Sequence, residues 1–260
     1  MKTAAVNKTK PSRQPCLEIN DIHVHFGNTK ILENLSFRAY EGDYIGILGP
    51  NGSGKSTLLK IILGLLRPTR GTVKLFSRDI RSAENLSLVG YVPQQGAATE
   101  LQFPATVEEI VLSGRTIRAG LFHPFTRVDH AAAASALKHV GMYDLRRRLI
   151  GQLSGGQRQK VYIARALAAE PKMLILDEPT VAIDARSEAE FYRMLRELND
   201  KHHITIILVS HDIDVVAREV DSVLCLNRSI VCHLPSKDFR KADYLRDVYG
   251  SEVKAIYHDH

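Results

Sequence analysis

The chain has 260 residues, of which 44% are apolar and 25% charged, and this is enough material to bury a substantial core. Thirty-five Lys and Arg residues against 29 Asp and Glu give a net charge of +6. The surface is therefore mildly basic and compatible with a nucleotide, a nucleic acid or an anionic membrane surface. The basic residues are scattered and Trp is absent, which argues against a stacking platform for single-stranded nucleic acid.

Cysteine content and hydropathy bear on the compartment. Cys16, Cys225 and Cys232 form no C-x-x-C pair and leave one cysteine over, so the sequence predicts neither a disulfide framework nor a zinc ribbon. This implies a reducing, cytoplasmic setting. No apolar run reaches the roughly 18 residues of a membrane span, and the N-terminus lacks the apolar core of a signal peptide. Any membrane role is therefore expected to act through a partner.

The N-terminal part divides into a tail and a strand-rich segment. Residues 1–15 are polar, basic and contain two prolines, which predicts a disordered extension. Short alternating apolar segments in residues 17–48 then predict antiparallel strands.

A phosphate-binding pattern follows these strands. It reads Gly49-Pro50-Asn51-Gly52-Ser53-Gly54-Lys55-Ser56-Thr57 and matches G-x-x-x-x-G-K-[ST] at every fixed position. An apolar run precedes it and an apolar helical pattern follows, so it lies where a strand turns into a helix. The glycines let the backbone approach phosphate oxygens, the N–H groups at the helix start attract anions, and Lys55 adds a cation. We therefore expect nucleotide phosphates here, with Ser56 as a ligand of Mg²⁺.

The middle of the chain lacks strand patterns and shows helical ones, which predicts an inserted helical subdomain over residues 96–165. One helix is predicted over residues 106–114, and another begins at Asp129, whose carboxylate caps the first turn. Unbroken apolar strands at residues 173–176 and 204–209 are typical of a parallel sheet covered on both faces. A hairpin is predicted over residues 223–234 and a closing helix over 238–252, and residues 251–260 form a C-terminal tail.

A second set of glycines and three ionisable residues complete the chemistry. Ser154-Gly155-Gly156-Gln157 precedes a helix predicted from Arg158, so it offers another group of backbone N–H donors to an anion. This cradle belongs to the helical insertion, and we expect it to serve a nucleotide held by another copy. Asp177 and Glu178 end a strand and point in opposite directions, so one can hold Mg²⁺ while the other activates water. His211 ends the next strand on the same sheet edge.

In this order, the phosphate loop, Leu153-Ser154-Gly155-Gly156-Gln157 and Leu176-Asp177-Glu178-Pro179-Thr180 resemble the nucleotide-binding subunits of ABC transporters. The resemblance runs from Cys16 to about Asp247. It implies an α/β P-loop NTPase fold of the ABC type, with a mixed sheet core, an antiparallel β subdomain and an inserted helical subdomain. The corresponding ATP-binding domain spans residues 16–250, and its cofactors are ATP and Mg²⁺.

The resemblance also implies a role for each matching residue. Lys55 contacts the β- and γ-phosphates, and the magnesium site is formed by Ser56, Asp177 and the sensing glutamine, Gln94. Glu178 is the general base and His211 the γ-phosphate switch. Ser154-Gly155-Gly156-Gln157 completes the site of the opposite copy. Phe26 is similar to the aromatic residue that stacks on adenine, and the alternative is that it is an ordinary core phenylalanine.

Residues 105–115 and 191–212 look like the ATP-binding subunits of bacterial zinc and manganese importers. This likeness implies an ATPase motor for divalent metal uptake, peripheral on the cytoplasmic face of the bacterial inner membrane. The implied partners are transmembrane permease subunits, a second copy of the chain and, indirectly, an extracytoplasmic substrate-binding protein, with no nucleic acid. The alternatives are the ATPase subunit of an iron-chelate or cobalamin importer, and a soluble ABC-type ATPase not coupled to transport. The tail His258-Asp259-His260 suggests a metal sensor, but a solvated terminus is the simpler interpretation.

Overall fold

The computed structural model describes residues 13–80, 87–94, 104–120, 123–180 and 185–239. Most of the predicted extension, the C-terminal tail with its histidines and most of the predicted closing helix lie outside these ranges. The first strand begins at Pro15, and Arg13 donates a 2.8 Å hydrogen bond to Asp43. The predicted end of the extension at residue 15 is therefore placed too late.

The secondary structure alternates as the sequence pattern predicts. The strands are β1 (Pro15–Phe26), β2 (Thr29–Tyr40), β3 (Tyr44–Leu48), β4 (Arg70–Leu75), β5 (Arg78–Asp79), β6 (Val89–Val92), β7 (Met173–Asp177), β8 (Thr205–Val209), β9 (Ser222–Asn227) and β10 (Ser229–Pro235). The α-helices are α1 (Lys55–Ile62), α2 (Val107–Ser113), α3 (Thr116–Ala119), α4 (Arg127–His139), α5 (Gly155–Ala168), α6 (Ala185–His202), α7 (Ile213–Glu219) and α8 (Ser236–Phe239). Within the described ranges, no helix combines the length and apolar character that a membrane crossing requires.

The strands form two sheets, which confirms the predicted mixed core and antiparallel subdomain. The antiparallel sheet has the order β2-β1-β4-β5. The second sheet has the order β10-β9-β3-β8-β7-β6 and is parallel except for β10. In this order β3, β8 and β7 are neighbours, so the loops that follow them meet at one edge of the sheet.

Two apolar cores lie on opposite faces of the parallel sheet, because successive strand residues point to opposite faces. In β3, Ile45 and Ile47 belong to the core shared with α1 and the antiparallel sheet. Tyr44 and Leu48 belong to the other core, shared with α2, α4, α5, α6 and α7. The helix after the phosphate loop therefore lies on the opposite face of the sheet from the helical insertion.

Capping boxes determine where two helices of the insertion begin. Thr106 caps α2 with Glu109, and Thr126 caps α4 with Asp129. In each box the threonine hydroxyl accepts the N–H of the third helical residue, whose carboxylate accepts the threonine N–H. The predicted helix start at Asp129 is therefore wrong, since Asp129 lies in the first turn and Thr126 is the cap.

The cysteine prediction is also wrong in one respect. Cys225 and Cys232 lie opposite each other in the β9–β10 hairpin, with Cα atoms 4.8 Å apart, and they form a disulfide. A spacing of seven residues across a tight antiparallel turn produces this pairing, which a search for C-x-x-C motifs does not detect. Cys16 is free and buried, and burial raises the pKa of its thiol to about 11, so it remains protonated and unreactive.

Candidate functional site

The candidate site lies where the carboxyl ends of β3, β7 and β8 meet. The phosphate loop follows β3, Asp177 ends β7, and His211 comes two residues after β8. Register pairs Ile47 with Val209 and Val209 with Asp177, so the three strand ends are level. This edge therefore collects the residues that the sequence assigns to nucleotide chemistry.

The phosphate loop depends on glycine for two separate reasons. Gly52 and Gly54 have φ angles of 77° and 100°, in the region that side chains disfavour. Gly49 has no such angle, but a Cβ there would lie 2.1 Å from the carbonyl oxygen of Leu226. A Cβ on Gly54 would also lie 2.4 Å from Leu32 Cδ2, which shows that β2 packs directly against the loop.

Two polar side chains in the loop indicate that it is shaped for an anion. Lys55 Nζ donates to the carbonyl oxygens of Gly49 and Pro50 at 2.7 and 3.0 Å, and the residue is only 8% exposed. Burial lowers the pKa of Lys55, while Glu178 and Asp177 act in the opposite direction. Ser53 Oγ is buried with no hydrogen-bond partner among the residues that the structure describes. Phosphate oxygens would satisfy both groups.

Asp177 is a half-buried carboxylate at the end of β7. Burial and the neighbouring Glu178 carboxylate raise its pKa, and Lys55 and Tyr91 only partly offset this shift. Tyr91 donates to Asp177 Oδ2 in a long, 3.4 Å hydrogen bond. Its surroundings therefore disfavour the ionised form, and a nearby cation would offset this effect, so such a carboxylate is expected at a cation site. The sequence did not identify Tyr91 as a site residue, because its contact with Asp177 depends on the pairing of β6 with β7.

Glu178 forms the centre of a cluster of predicted catalytic residues. Gln94 Nε2 donates to Glu178 Oε2 at 2.6 Å, and His211 Nδ1 lies 3.7 Å from the same oxygen. The Glu178 side chain is 16% exposed and that of His211 is 66% exposed. Glu178 has a φ of 45°, and its N–H donates to Val209 O at 2.9 Å. This strained backbone, tied to β8, aims the carboxylate at Gln94 and His211.

Ser154-Gly155-Gly156-Gln157 forms the N-terminus of α5. Ser154 is the N-cap, and its hydroxyl and the Gln157 side chain form a capping box. The two glycines therefore lie within the first turn, and the helix begins at Gly155, three residues before the predicted start at Arg158. The helix packs in the core shared with α2 and α4, on the opposite face of the sheet from α1. The sequence places two anion cradles in one chain, and the fold separates them.

Phe26 lies at the tip of the β1–β2 hairpin and is 56% exposed. The core-phenylalanine alternative is therefore wrong. The same hairpin carries Ile31 and Leu32, which lie within 3.2 Å or less of the Cβ position at Gly54. An exposed aromatic ring thus belongs to the hairpin that flanks the phosphate loop, as adenine stacking requires.

A groove of about 610 Å³ separates β6 and its following loop from the helical insertion. It begins at Gln94, whose amide contacts Glu178, and continues along the insertion. Its apolar and aromatic lining comes from both sides, and the Ile117 side chain is exposed there. Residues that contribute include Tyr91, Pro93, Gln94, Ser113, Ile117 and Tyr162. Single-sequence patterns give no signal for such a groove, because it arises from how two subdomains meet.

The chain is similar to known proteins along most of its length. The sequence profile of the family described as "ABC transporter" matches residues 32–181. The zinc uptake system ATP-binding protein ZurA of Listeria innocua is 43% identical over 215 residues, 83% of this chain and 84% of that protein. The manganese transport system ATP-binding protein MntB of Halalkalibacterium halodurans is 40% identical over 92% of this chain and 94% of its own length. The ADP conformation of an ATP-binding cassette of an ABC transporter superposes with a TM-score of 0.80 and 28% identity, covering 92% of this chain and all of that one.

Proposed function

Since this chain belongs to the ABC transporter family, as an ATP-hydrolysing subunit, we propose that it drives uptake of a divalent metal cation, zinc or manganese, through a membrane permease. Gln94 and His211 both lie against one carboxylate oxygen of Glu178, and this cluster is the observation that carries the assignment of hydrolysis. The metal assignment is supported by the 40–43% identity to zinc and manganese uptake subunits over most of their length.

The two cradles support a site shared between copies. The phosphate loop and Ser154-Gly155-Gly156-Gln157 lie on helices that pack on opposite faces of the sheet. One nucleotide therefore meets both only if the second cradle comes from another chain. Two copies related by a two-fold axis would place the phosphate loop of each against the α5 N-terminus of the other. ATP is bound between them, and hydrolysis releases the pair.

The residues at the sheet edge divide the chemistry. Lys55 exchanges its two loop carbonyls for β- and γ-phosphate oxygens and neutralises charge there. Glu178 orients and deprotonates the attacking water, and the amide of Gln94 holds its carboxylate in place. His211, more exposed, contacts the γ-phosphate. Phe26 stacks on adenine from the hairpin beside the loop.

The donors present fit Mg²⁺. Ser56 supplies a hydroxyl, Asp177 a carboxylate and Gln94 an amide oxygen, and all are hard oxygen ligands of the kind this cation takes together with phosphate and water. Burial and the neighbouring Glu178 carboxylate raise the pKa of Asp177, so a cation placed beside both carboxylates would favour its ionised form. When bound, Mg²⁺ neutralises the phosphate oxygens on which charge develops. Asp177 and Ser56 would hold the ion, and the hydrogen bond from Tyr91 orients Asp177.

The partners follow from the family and from the groove. ATP-binding subunits of this family work in pairs with transmembrane permease subunits. We assign the groove between β6 and the insertion to the permease, because it is apolar, exposed and joined to Glu178 through Gln94. Nucleotide chemistry and permease movement would then be linked at one glutamine. An extracytoplasmic binding protein completes the importer, and the chain lies on the cytoplasmic face of the bacterial inner membrane.

The proposed base is tested with Glu178→Gln. ATP affinity should be retained, while kcat falls about 10² to 10⁴-fold, as expected when a general base is lost. The matched control is Glu197→Gln, an exposed glutamate on α6 that pairs only with Lys201 among the residues described. The variant should also accumulate as an ATP-bound pair of copies in size-exclusion chromatography. Parental turnover in Glu178→Gln would remove Glu178 as the base.

The transported cation is tested in cells that lack this chain. Zinc, manganese and iron contents and uptake rates are measured in the deletion strain, in the complemented strain and in a strain complemented with Glu178→Gln. Zinc or manganese uptake should fall in the first and third strains and return in the second. A defect confined to iron-chelate or cobalamin uptake would instead support the alternative importer class, and normal uptake of all substrates would support an ATPase not coupled to transport.

A further inference from the structure

Arg115 is a buried charged residue that the nucleotide chemistry does not use. Only 6% of its side chain is exposed. It directly follows Gly114, at the end of α2, where an added Cβ would lie 2.0 Å from the carbonyl oxygen of Arg165. The end of α2 thus packs against the backbone of α5, and this contact places the Arg115 side chain beside the C-terminus of α5.

The guanidinium of Arg115 binds three separate segments. Nε donates to Asp129 Oδ1 at 2.9 Å, in the first turn of α4. Nη1 donates to the carbonyl oxygen of Ala168, the last residue of α5, and to Glu170 Oε2, both at 2.9 Å. A cation is favourable at a helix C-terminus, where carbonyl groups lack intrahelical partners. Arg115 therefore stabilises the end of α5 and ties it to α4 and to the chain that leaves the helix.

The segment held by Arg115 joins two functional elements. Helix α5 begins at Gly155, directly after its N-cap Ser154, and only residues 169–172 separate its end from β7, which ends at Asp177. Glu170, within this link, has a φ of 51°, and its N–H donates to Leu167 O. Arg118 also contacts Glu170, but 36% of its side chain is exposed. Core packing holds the body of α5. The contacts of Arg115 and Arg118 add polar ties at the point where the chain leaves α5 for β7.

Arg115 and Asp129 are both charged in this contact. Burial acts to lower the pKa of Arg115, but hydrogen bonds to Asp129 and Glu170 outweigh it and the net shift is upward, so the guanidinium stays charged. Hydrogen bonds from Thr126 and from Arg115 hold the pKa of Asp129 at about 2. Truncation of Arg115 would leave Asp129 with Thr126 as its hydrogen-bond partner and would remove the Arg115 donor from the Ala168 carbonyl, and the loss of a partner from buried polar groups destabilises their local arrangement.

The link matters because each chain serves two composite sites at once. In a two-fold pair, the carboxylates of one chain act in one site while its α5 N-terminus acts in the other. Both sites close together only if the separation of these two elements within a chain is correct. We propose that Arg115 is a positioning residue for ATP hydrolysis, which sets α5 relative to β7 so that both composite sites can form. This inference rests on the proposed two-copy site.

The test compares Arg115→Gln and Arg115→Lys with the parent chain. The matched control is Arg118→Gln, which removes a cation from the same Glu170 carboxylate but leaves Asp129 and Ala168 paired. Four quantities are measured on the full chain: thermal unfolding, ATP affinity, kcat with KM, and ATP-dependent pairing in a Glu178→Gln background.

Arg115→Gln is expected to bind ATP within about twofold of the parent, because the phosphate loop lies on the other face of the sheet. Its kcat should fall about 10- to 100-fold, the scale of an ångström-sized misplacement, and pairing should weaken in parallel. Arg115→Lys should recover part of kcat, since it keeps the charge but not all three contacts. Arg118→Gln should stay within about threefold of the parent.

Three outcomes would overturn the proposal. The first is parental kcat and pairing in Arg115→Gln. The second is a loss of kcat that only follows the unfolded fraction and vanishes at lower temperature. The third is an equal loss in Arg118→Gln. If Arg115→Gln does not fold, Glu170→Ala replaces it, because alanine cannot accept the hydrogen bond from Arg115 and the Glu170 side chain is 61% exposed. The same quantities are measured, a smaller loss of kcat is expected, and parental values there count as the first outcome. If Glu178→Gln alone fails to pair with ATP, the two-copy site itself fails, and this result is independent of Arg115.

Discussion

Gly49 and Gly52 in the phosphate loop require glycine for different physical reasons, lack of space at Gly49 and a positive φ angle at Gly52. Gly49 is a fixed position of the phosphate-binding pattern, and Gly52 is a variable one. At Gly49 an added methyl group would lie 2.1 Å from Leu226 O and 2.7 Å from Ser53 Oγ. At Gly52 nothing lies within 4 Å, but φ is 77°. Gly49→Ala therefore tests lack of space, and Gly52→Ala tests backbone conformation alone.

The magnitudes follow from these contacts. Real Cβ atoms stay beyond about 3.0 Å from other heavy atoms, so Gly49→Ala forces the loop or β9 to move by nearly 1 Å. Overpacking of this kind costs about 1–3 kcal/mol of unfolding free energy. Gly52→Ala incurs only the left-handed backbone penalty of about 1–2 kcal/mol. The two variants should therefore lose similar amounts of stability. Their kcat/KM values should differ, since a displacement near 1 Å in a loop that positions the substrate costs about 100-fold in turnover.

The assay measures urea unfolding, ATP affinity and kcat for both variants. We expect Gly49→Ala to lose about 100-fold in kcat/KM and Gly52→Ala less than about tenfold, at comparable stability. Equal losses of kcat/KM in the two variants would refute the steric argument. A parental Gly49→Ala protein would show that β9 yields without disturbing the loop.

Three further predictions concern single side chains. Asp177→Asn should raise the stability of the nucleotide-free protein at pH 7 by less than about 1 kcal/mol, since the half-exposed carboxylate is screened by solvent. Hydrolysis should be lost. The stability gain is expected because the raised pKa of Asp177 means that its ionised form costs stability above that pKa. The gain should vanish as the pH falls below the ordinary Asp pKa, and thermal unfolding across pH checks this sign. Ser154→Ala removes an N-cap and should cost about 1 kcal/mol of stability; kcat should fall while ATP affinity of the single chain is kept, and weaker affinity would contradict the two-copy site. Phe26→Ala should change stability by less than about 0.5 kcal/mol but weaken ATP binding by about 1–3 kcal/mol, with inorganic triphosphate as the control ligand whose affinity must not change.

Local sequence was sufficient for much of the site. The phosphate loop, the paired carboxylates and His211 each follow an apolar strand, and parallel strands in a shared sheet bring such ends together. The convergence of Gln94 and His211 on Glu178 agrees with this expectation. Local patterns also placed α2 correctly to within a residue, because its capping threonine and apolar face are contiguous in sequence.

The sequence-based predictions failed where a residue distant in sequence, or a second local capping pattern, determined the structure. Asp129 reads as a helix cap, yet Thr126 caps α4, since a capping box uses both residues and places the carboxylate in the first turn. The Cys225–Cys232 bond depends on cross-strand register, which residue spacing alone does not reveal. Tyr91 gained its contact with Asp177 from a neighbouring strand 86 residues distant in sequence.

The sequence by itself determined which chemistry is proposed for this protein, because the phosphate loop, the second cradle and the paired carboxylates are each recognised from residue types at fixed local spacing. Only the tertiary structure decided the relation between the two anion cradles. The alternation of side chains in the parallel sheet places α1 and α5 in different cores, so the two cradles of one chain begin helices on opposite faces of the sheet. Long-range contacts such as those of Arg115 with Ala168 and Glu170 tie the end of α5 to the helical insertion, and no local pattern encodes a contact across 53 or 55 residues.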